Sequence, residues 1–330
     1  MFINDTRGYY ENIKDPEEGM DDEITVSHLL RHKNSFTRDG LPFGALLAKN
    51  LKETGLLNEG AKVLEVGPGL GDLAKNFCRE AKPDEYVFMD ISPKIINFLK
   101  TRFGERNFSF ILGDFMQMKI KRKFDLIICN EVLSDFPTIV DFDTERPGKG
   151  IYKDAKRMMK EYGLQGKGIF SFNYGAVKFL ELSNRILGKN GVVFISEQKT
   201  SRFPERIRMF GHNEYTIRMD WLEKAANKLK FSVVKRGALT EFLGIKKKKF
   251  VSFFSQPELR NLYIFMKRNG STPEQRAQTI DEFLAANKDF IRTDNPENYK
   301  KFLEKNACPL TNVTDKFAYL ILKKTSPINI

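Results

Sequence analysis

The sequence predicts an α/β protein built on a doubly wound, mostly parallel sheet. Three observations support this prediction. Short apolar segments alternate with segments of helical period, the first apolar segment ends in a glycine-rich turn, and acidic residues follow the ends of the next two. With 330 residues, of which 41% are hydrophobic and 30% charged, the chain is long enough to bury the core that such a sheet requires.

The predicted elements alternate along the first two thirds of the chain. An amphipathic helix is predicted at 43–55, where one phenylalanine and several leucines share a face. Helical periodicity also predicts helices at 71–81, 92–103, 174–187 and 221–230, and Pro93 suits a first helical position. Apolar runs predict strands at 62–66, 86–90, 108–114, 124–130, 192–198, 231–237 and 317–324.

The chain divides into four regions. Residues 1–60 form an N-terminal segment and a helix that lead into the core. Residues 61–237 form a ligand-binding core that contains a long loop predicted at 138–170, and loops of that length are usually functional or disordered. Residues 238–312 are predicted to be a mostly helical insertion, and residues 313–330 carry the final strand of the same sheet.

Composition narrows the class of protein and its partners. Lysine and arginine total 55 against 43 acidic residues, and the net charge of +12 favours an acidic partner such as nucleic acid or an acidic protein patch. Three cysteines, Cys78, Cys129 and Cys308, are too few for a disulfide framework. The sequence contains no apolar run of about 18 residues, so no membrane span is predicted. The acidic N-terminal stretch is unlike a signal peptide. We therefore expect a cytoplasmic protein.

The strongest functional signal is the glycine-rich turn after the first predicted strand of the core, Glu65-Val66-Gly67-Pro68-Gly69-Leu70-Gly71. Glycines let a ligand approach the backbone closely because they carry no Cβ. The dinucleotide fingerprint requires a glycine at position 72, where this chain has Asp72. Carboxylates on both sides of the turn favour a ligand with a positive charge and no pyrophosphate, and S-adenosylmethionine (SAM) is such a ligand.

Acidic residues at two further strand ends strengthen this prediction. Asp90 ends the second strand, where doubly wound nucleotide sites place a carboxylate on the ribose hydroxyls. Asp114 follows the third strand, within reach of an adenine amino group. The alternative is that the glycines only form a tight turn and the acids only cap helices. We predict a SAM site formed by Glu65, Gly67, Pro68, Gly69, Gly71, Asp90, Ile91, Asp114, Phe115 and Asn130.

These motifs resemble those of the class I SAM-dependent methyltransferases across residues 45–200. The glycine-rich turn corresponds to their first motif, Asp90 to their ribose-binding acid, and Gly113-Asp114-Phe115 to their adenine motif. The resemblance implies a seven-stranded Rossmann-like methyltransferase sheet with helical insertions. It also implies S-adenosyl-L-methionine as the cofactor.

The segment after the fourth strand is similar to the MidA family, which includes the mitochondrial complex I assembly methyltransferase. That family carries N-E-x-x-D-A-x-P here, and this chain has, in order, Asn130, Glu131, Ser134, Asp135 and Pro137. Gly8-Tyr9-Tyr10 and residues 240–245 are also similar to segments of that family. The chain departs from the pattern at Ser134, where the family has Asp, and at residues 196–198, where the family has D-Y-G.

The MidA resemblance implies protein arginine N-methylation. A guanidinium is protonated at any cellular pH, so its methylation requires a carboxylate that binds the planar fork and orients one nitrogen. We predict that Glu131 binds the guanidinium and that Asp135 or Glu197 is the second carboxylate. Asn130 is predicted to orient the substrate or the cofactor.

The three histidines receive a lesser role. His212 is an outside candidate for a base beside the acceptor. His28 and His32 have the i, i+4 spacing of metal ligands on a helix, but no third ligand is evident. We therefore predict ordinary surface histidines there and no metal site.

Two other functions remain open at this stage. The first is a SAM-dependent methyltransferase whose acceptor is RNA or a small molecule, and the positive net charge is consistent with RNA. The second is a non-catalytic assembly factor that binds SAM and holds a partner protein, which the departure at Ser134 favours. The expected partner is an acceptor protein, and the sequence makes no prediction of oligomeric state.

Overall fold

The computed structural model describes residues 1–14, 16, 25–104, 106–209, 211–253, 255, 257–271, 273–291 and 296–325. Most of the acidic N-terminal stretch and the end of the 313–330 segment lie outside these residues. The strands are β1 (Phe2–Asn4), β2 (Lys62–Val66), β3 (Glu85–Asp90), β4 (Phe108–Leu112), β5 (Phe124–Asn130), β6 (Thr138–Asp143), β7 (Ile169–Phe172), β8 (Leu187–Gln198), β9 (Arg206–Arg208), β10 (Asn213–Tyr215), β11 (Phe231–Ala238), β12 (Lys249–Phe250), β13 (Cys308–Pro309) and β14 (Phe317–Lys324).

Helices separate most of these strands, and two short 3-10 turns lie at Arg38–Gly40 and Leu133–Asp135. The helices are α1 (Arg7–Glu11), α2 (Val26–Leu29), α3 (Phe43–Glu53), α4 (Asp72–Ala81), α5 (Pro93–Phe103), α6 (Ile151–Tyr162), α7 (Tyr174–Ile186), α8 (Met219–Lys228), α9 (Leu239–Leu243), α10 (Pro257–Arg268), α11 (Ile280–Ala286), α12 (Pro296–Asn306) and α13 (Thr311–Thr314). Within the described ranges, none of them combines the length and the apolar character needed to cross a bilayer.

Seven strands form the central sheet in the order β11-β14-β8-β5-β2-β3-β4. The pairs from β8 to β4 are parallel, whereas β14 runs antiparallel to both of its neighbours. This confirms the predicted fold class, with the last strand at the predicted residues 317–324. The strand order reverses between β2 and β5, and doubly wound sheets bind their ligands at such a reversal.

The sheet separates two apolar layers because successive side chains of a strand point to opposite faces. In β2, Val63 packs into the first layer, which contains α3, α4 and α5. Leu64 packs into the second layer, which contains α6, α7 and α8. Phe77 of α4 and Trp221 of α8 are among the largest fully buried side chains. Burying such a side chain contributes roughly 1.5–3 kcal/mol, so both faces of the sheet contribute to stability.

Two helices of the first layer begin directly after the strand ends that face the ligand site. α4 starts after Gly71, whose φ of 75° is left-handed. α5 starts at Pro93, and the Ser92 side chain accepts a hydrogen bond from the Ile95 backbone N–H. The local sequence thus determines where each helix begins relative to the sheet edge.

The prediction of a long loop at 138–170 was wrong. This region contains β6, α6 and the start of β7, and β6 pairs antiparallel with both β7 and β1. α6 buries Ala155, Met158, Met159 and Tyr162 against the second layer. β6 is stabilised by β1, from the beginning of the chain, and local periodicity cannot reveal a partner so distant in sequence.

Residues 239–306 consist mostly of helices and have an apolar cluster of their own around Phe253, Tyr263 and Phe283. Ala277 belongs to the first core layer instead, and its backbone N–H donates to the Leu29 carbonyl oxygen at 3.0 Å. The insertion therefore packs against the end of α2.

A substitution at Gly44 tests the contact between α3 and α4. A Cβ at this position would lie 2.1 Å from the Leu73 carbonyl oxygen and 2.9 Å from the Phe77 backbone nitrogen. We expect Gly44→Ala to lower the free energy of unfolding by about 1–3 kcal/mol or more, because the helices would have to separate. Urea denaturation measures this change. Gly8→Ala is the control, since a Cβ there meets nothing within 4 Å, and equal stabilities for the two variants would contradict the packing argument.

Candidate active site

Two adjoining cavities lie where β2, β3, β4 and β5 end, and they meet at Gly67 and Gly69. The Asp90 cavity is lined by strand ends, by the loop after β5 and by the N-terminal segment, including Thr6, Arg7, Tyr10, Asp90, Ile91, Asp114, Phe115, Asp135, Phe136 and Pro137. The Asn130 cavity is lined by Thr25, Ser27, His28, Glu65, Gly67, Pro68, Gly69, Leu70, Asp72, Leu73 and Asn130. Together they form one cleft along the glycine-rich turn.

The turn requires glycine for two different reasons. Gly67 and Gly69 have left-handed φ angles of 65° and 51°, and a Cβ on Gly67 would lie 2.6 Å from a methyl carbon of Val132. Gly71 lines neither cavity. A Cβ there would lie 2.6 Å from the Phe103 ring, so this glycine lets α4 begin close to α5. Its predicted contact with the cofactor remains a prediction.

Asp90 fits the role of the ribose-binding acid. Its carboxyl group lines the Asp90 cavity beside Ile91 and accepts a hydrogen bond from the Ser92 backbone N–H at 2.8 Å. Burial raises the pKa of Asp90 to about 7. Hydroxyl groups that donate hydrogen bonds to the carboxylate would stabilise its ionised form. A ribose, with two adjacent hydroxyl groups, would supply such donors.

The far end of the same cavity fits an adenine ring. Asp114 Oδ1 accepts a hydrogen bond from the Met116 backbone N–H at 2.8 Å, and its Oδ2 lies 3.5 Å from Arg7 Nη1. Phe115 and Ile95 contribute apolar wall, and the Phe115 ring packs 5.2 Å from that of Phe179. The cavity therefore offers a carboxylate beside an apolar slot, which suits a flat base with an exocyclic amine.

The Asn130 cavity fits the amino-acid end of SAM. The Asn130 Nδ2 donates to the Ser27 Oγ at 3.3 Å, whereas its Oδ1 is buried and has no hydrogen-bond partner among the described residues. Glu65 is fully buried, and burial raises its pKa to about 8 although the Tyr86 hydroxyl donates to it at 2.9 Å. An ammonium group would satisfy the Asn130 oxygen and would favour the ionised form of Glu65.

His28 belongs to this cavity, contrary to its prediction as an ordinary surface histidine. Its Nδ1 lies 2.6 Å from Asp72 Oδ2, and Arg102 contacts the other Asp72 oxygen at 2.8 Å. Burial raises the pKa of Asp72, but these two neighbours outweigh burial and lower it to about 2. The Asp72 charge is thus already compensated by protein groups, so only Glu65 remains of the two carboxylates expected to favour a cationic ligand.

Glu131 makes backbone contacts that the sequence did not predict. Its φ of 56° is left-handed, and both carboxyl oxygens lie 3.0 Å from the Val26 backbone nitrogen, which donates to them. The Asn130 side chain donates to the same group at 3.1 Å, and burial raises the pKa of Glu131 to about 7. These contacts hold the start of α2 against the end of β5. They favour a positioning role, and the binding of a guanidinium by Glu131 remains a prediction.

Glu197, in the neighbouring strand β8, makes similar contacts to a backbone N–H group. Its Oε2 accepts hydrogen bonds from the Ser134 backbone N–H at 3.1 Å and from the Ser134 hydroxyl at 3.3 Å. Burial raises the pKa of Glu197 to about 8. Ser134, where the MidA pattern has Asp, therefore donates to a buried acid from the neighbouring strand, and an aspartate here would place two carboxylates in contact.

The remaining predicted acid, Asp135, joins what we call the His212 cluster, formed by Tyr10, Asp135, His212 and Glu214. The His212 Nε2 lies 3.6 Å from Asp135 Oδ1, 3.3 Å from Glu214 Oε1 and 3.4 Å from the Tyr10 hydroxyl. Tyr9 stacks on the His212 ring at 4.3 Å. The ligand-type atoms of Asp135, His212 and Glu214 lie within 4.8 Å of one another, a spacing that would suit a metal ion or another cationic group.

Comparison with known proteins agrees with this cleft. Residues 31–263 match a family described as a methyltransferase domain. The match covers more than half of the chain, and the chain belongs to this family. Residues 31–263 therefore form a class I SAM-dependent methyltransferase domain, and the cofactor of such a domain is S-adenosyl-L-methionine.

Individual relatives match shorter stretches. The chain is 27% identical over 133 residues to a malonyl-[acyl-carrier protein] O-methyltransferase of Priestia megaterium, covering 40% of this chain and 44% of that protein. It is 33% identical over 105 residues to a fatty-acid O-methyltransferase of Mycolicibacterium smegmatis, covering 30% of this chain and 38% of that protein. The chain thus spans less than half the length of these curated relatives.

One solved structure matches over nearly its whole length. The [4+2]-cyclase SpnF covers 98% of this chain with a TM-score of 0.52 and 12% sequence identity, and 97% of SpnF is covered in turn. A likeness at this level of identity shows the fold alone. None of these three proteins is described as a MidA protein, so the MidA resemblance remains a prediction.

The assignment of Asp90 is testable by cofactor affinity. We expect Asp90→Asn to weaken binding of S-adenosylhomocysteine (SAH) by about tenfold or more, because hydrogen bonds to a charged group are lost. Binding to the unchanged protein should tighten between pH 6 and 8, as Asp90 ionises at its pKa of about 7, and this dependence should weaken in the variant. Calorimetry measures both effects. Asp84→Asn, at an exposed position before the same strand, is the control, and equal affinities for the two variants would remove Asp90 from the site.

The buried acids also predict how stability depends on pH. The pKa of Glu197 is about 8 in the folded protein and 4.5 without burial, so the folded state retains a proton that the unfolded state releases. This contribution to stability is complete below pH 4.5 and is lost as the pH rises through 8. We expect the free energy of unfolding to fall from pH 5 to 8.5, and to fall less in Glu197→Gln. The slope should be unchanged in the exposed control Glu59→Gln, and a similar slope in all three proteins would contradict the argument.

Proposed function

We propose that this enzyme transfers the methyl group to a cationic nitrogen acceptor, and that the acceptor is an arginine side chain of a protein. The observation that supports this acceptor most is the acidic side of the cleft. Asp135 lines the Asp90 cavity, and Glu214 lies behind it in the His212 cluster. Carboxylates attract a guanidinium and accept hydrogen bonds from two of its nitrogens at once, which orients the third.

The cation in the same wall does not offset this acidic character. Arg7 lines the Asp90 cavity, but its guanidinium forms an ion pair with Asp5 and contacts Asp114. Its charge is therefore compensated within the N-terminal segment. A carboxylate acceptor would meet Asp135 in this wall without an uncompensated cation of the same wall beside it, and like charges at close range disfavour binding.

The roles of the chain's own groups follow from this arrangement. SAM, when bound along the glycine-rich turn, supplies an electrophilic methyl group. Asp135 binds the acceptor and orients one nitrogen, which gains the methyl group and loses one proton. His212, with its Nε2 3.6 Å from Asp135 Oδ1, is placed to receive that proton. Phe136 and Pro137 add apolar surface to the same cavity, which would help to exclude water from the reacting atoms. Positioning of this kind supplies much of the rate when the transferred group is already activated.

A second candidate is O-methylation of a carboxylic acid. It is favoured by the partial similarity to the malonyl-[acyl-carrier protein] and fatty-acid O-methyltransferases. The acidic wall of the cleft argues against it, because an ionised carboxyl acceptor would be repelled. We give the nitrogen acceptor precedence for this reason and keep the cytoplasmic location expected from the sequence.

The two candidates differ in the chemistry of their products. Labelled methyl groups are transferred from SAM into an extract of the native host, and the label is divided by protease, by ribonuclease and by mild base. We expect label that is protease-sensitive and stable to base, because N-methylarginine resists hydrolysis. Methyl esters would instead release volatile methanol, which would support the second candidate. Ribonuclease-sensitive label would show an RNA acceptor, and no label despite SAH binding would favour the assembly-factor function.

Asp135→Asn provides the matched variant for this assay. We expect kcat/KM to fall by roughly 100-fold or more, because a charge-assisted contact to the acceptor is replaced by a neutral one. Asp141→Asn, at an exposed position of β6, should leave it unchanged. Parallel reactions with a chelator show whether methyl transfer depends on a metal ion. Unchanged transfer would indicate that the His212 cluster binds the acceptor without a metal ion. Normal turnover of Asp135→Asn would remove Asp135 from the mechanism.

A further inference from the structure

A second, larger depression lies on the outer side of α4, between that helix, the segment that follows α2 and the insertion. We call it the Arg31 groove, and its volume is about 700 Å³. Its neutral walls include Asn76 and Leu41. Its charged walls carry three carboxylates and six lysine or arginine side chains, namely Arg31, Lys33, Lys75, Arg79, Arg102 and Arg276.

The carboxylates of the groove form ion pairs with only two of these six cations. Asp72 is paired with His28 and Arg102, and Glu274 with His32 and Arg276. The third carboxylate, Glu80, is exposed at the rim. The cations that remain are Arg31, Lys33, Lys75 and Arg79, of which the last three form no ion pair with any described residue.

Arg31 distinguishes this groove from an ordinary solvated basic surface. Its Nη1 donates to the carbonyl oxygens of His28, at 2.8 Å, and of Gln275. Both hydrogen-bond partners are neutral, and burial lowers the pKa of this guanidinium although the negative charges of Asp72 and Glu274 act in the opposite direction. A half-buried cation whose hydrogen bonds go to neutral groups at the edge of a groove is stabilised when an anion binds there.

Two further cations are spaced for the same ligand. Lys75 and Arg79 are four residues apart on α4, so their side chains lie on one exposed face of the helix. Lys33 approaches from a different segment of the chain. The cations therefore line the groove from two sides, which favours an extended ligand with several negative charges.

We propose that the Arg31 groove binds a ligand that carries several phosphate groups. A phosphate monoester carries about two negative charges and three acceptor oxygens, so it can accept from several guanidinium and ammonium groups at once. A carboxylate offers one charge and two oxygens. Arginine forks match phosphate oxygens in pairs, and the volume of the groove suits a chain of phosphates.

The groove is separate from the acceptor wall of the cleft. It shares Asp72 with the Asn130 cavity but no residue with the Asp90 cavity or with the His212 cluster. Phosphate binding therefore does not depend on the nature of the methyl acceptor. A free polyphosphate compound and a nucleic-acid backbone offer the same phosphate chemistry, and the experiment distinguishes them.

The test is calorimetric titration of the full chain with inorganic triphosphate, at about 0.15 M salt so that weak surface attraction is screened. Lys75→Ala/Arg79→Ala removes two charges from the groove, and we expect it to weaken binding about tenfold or more. Lys246→Ala/Lys247→Ala removes two exposed charges elsewhere and should change the affinity less than about threefold. Both variants should bind SAH like the unchanged protein, which shows that the fold is intact.

Several outcomes would overturn the proposal. They are no binding of triphosphate, equal losses in the two double variants, and equally tight binding of a polyglutamate peptide of the same charge. If Lys75→Ala/Arg79→Ala also loses SAH binding, Lys33→Ala replaces it, and an unchanged triphosphate affinity there is equally decisive. A short single-stranded RNA that competes for the groove more tightly than triphosphate identifies the source as nucleic acid, whereas the reverse order identifies a small molecule. The methyl-transfer assay is independent of each of these results.

Discussion

Two carboxylates, one directly after β5 and one in the neighbouring strand β8, accept hydrogen bonds from backbone N–H groups of the segments that complete the cleft. Glu131, after β5, holds the start of α2 through Val26, and Glu197, in β8, holds the 3-10 turn through Ser134. α2 then places Ser27 and His28 in the wall of the Asn130 cavity, and the turn places Asp135 in the wall of the Asp90 cavity. The sheet alone would provide the glycine-rich turn and Asp90, whereas these contacts add the acceptor side.

The cleft concentrates buried acids, and burial raises the pKa of each. Glu65, Asp90, Glu131 and Glu197 have pKa values of about 7 or 8. Burial is the main cause of each raised pKa, and the nearby negative charge of Glu214 also raises the pKa of Glu131 and of Glu197. A cationic ligand opposes this effect, because a positive charge brought into the cleft stabilises an ionised carboxylate. The same electrostatics therefore favour SAM, whose sulfonium and ammonium groups are positive, and a cationic acceptor.

Sequence periodicity was sufficient for the central sheet, because each of its parallel strands contains a short apolar run and amphipathic helices directly follow β2 and β3. It failed at residues 138–170, where β6 depends on pairing with β1, and it missed His28, whose role depends on Asp72 from another segment. Strand ends predicted where Asp90, Asp114 and Asn130 lie, since parallel strands end at a common edge. The sequence could not predict the hydrogen-bond partners of Glu131 and Glu197, because no local pattern shows which backbone groups a carboxylate will contact.

The pairing of β1 with β6 also has a consequence for the order of folding. Phe2 lies opposite Val140, so the chain must close a very long loop before this pair forms. Closing such a loop costs entropy, and contacts between distant residues form slowly. The parallel strand pairs of the central sheet, from β8 to β4, have shorter connections, and we expect them to form first. Thr6, Arg7 and Tyr10 then dock over the strand ends as a late event. A chain that has formed its core would still lack one wall of the cofactor cleft, and the gain of cofactor affinity would mark the last step of folding.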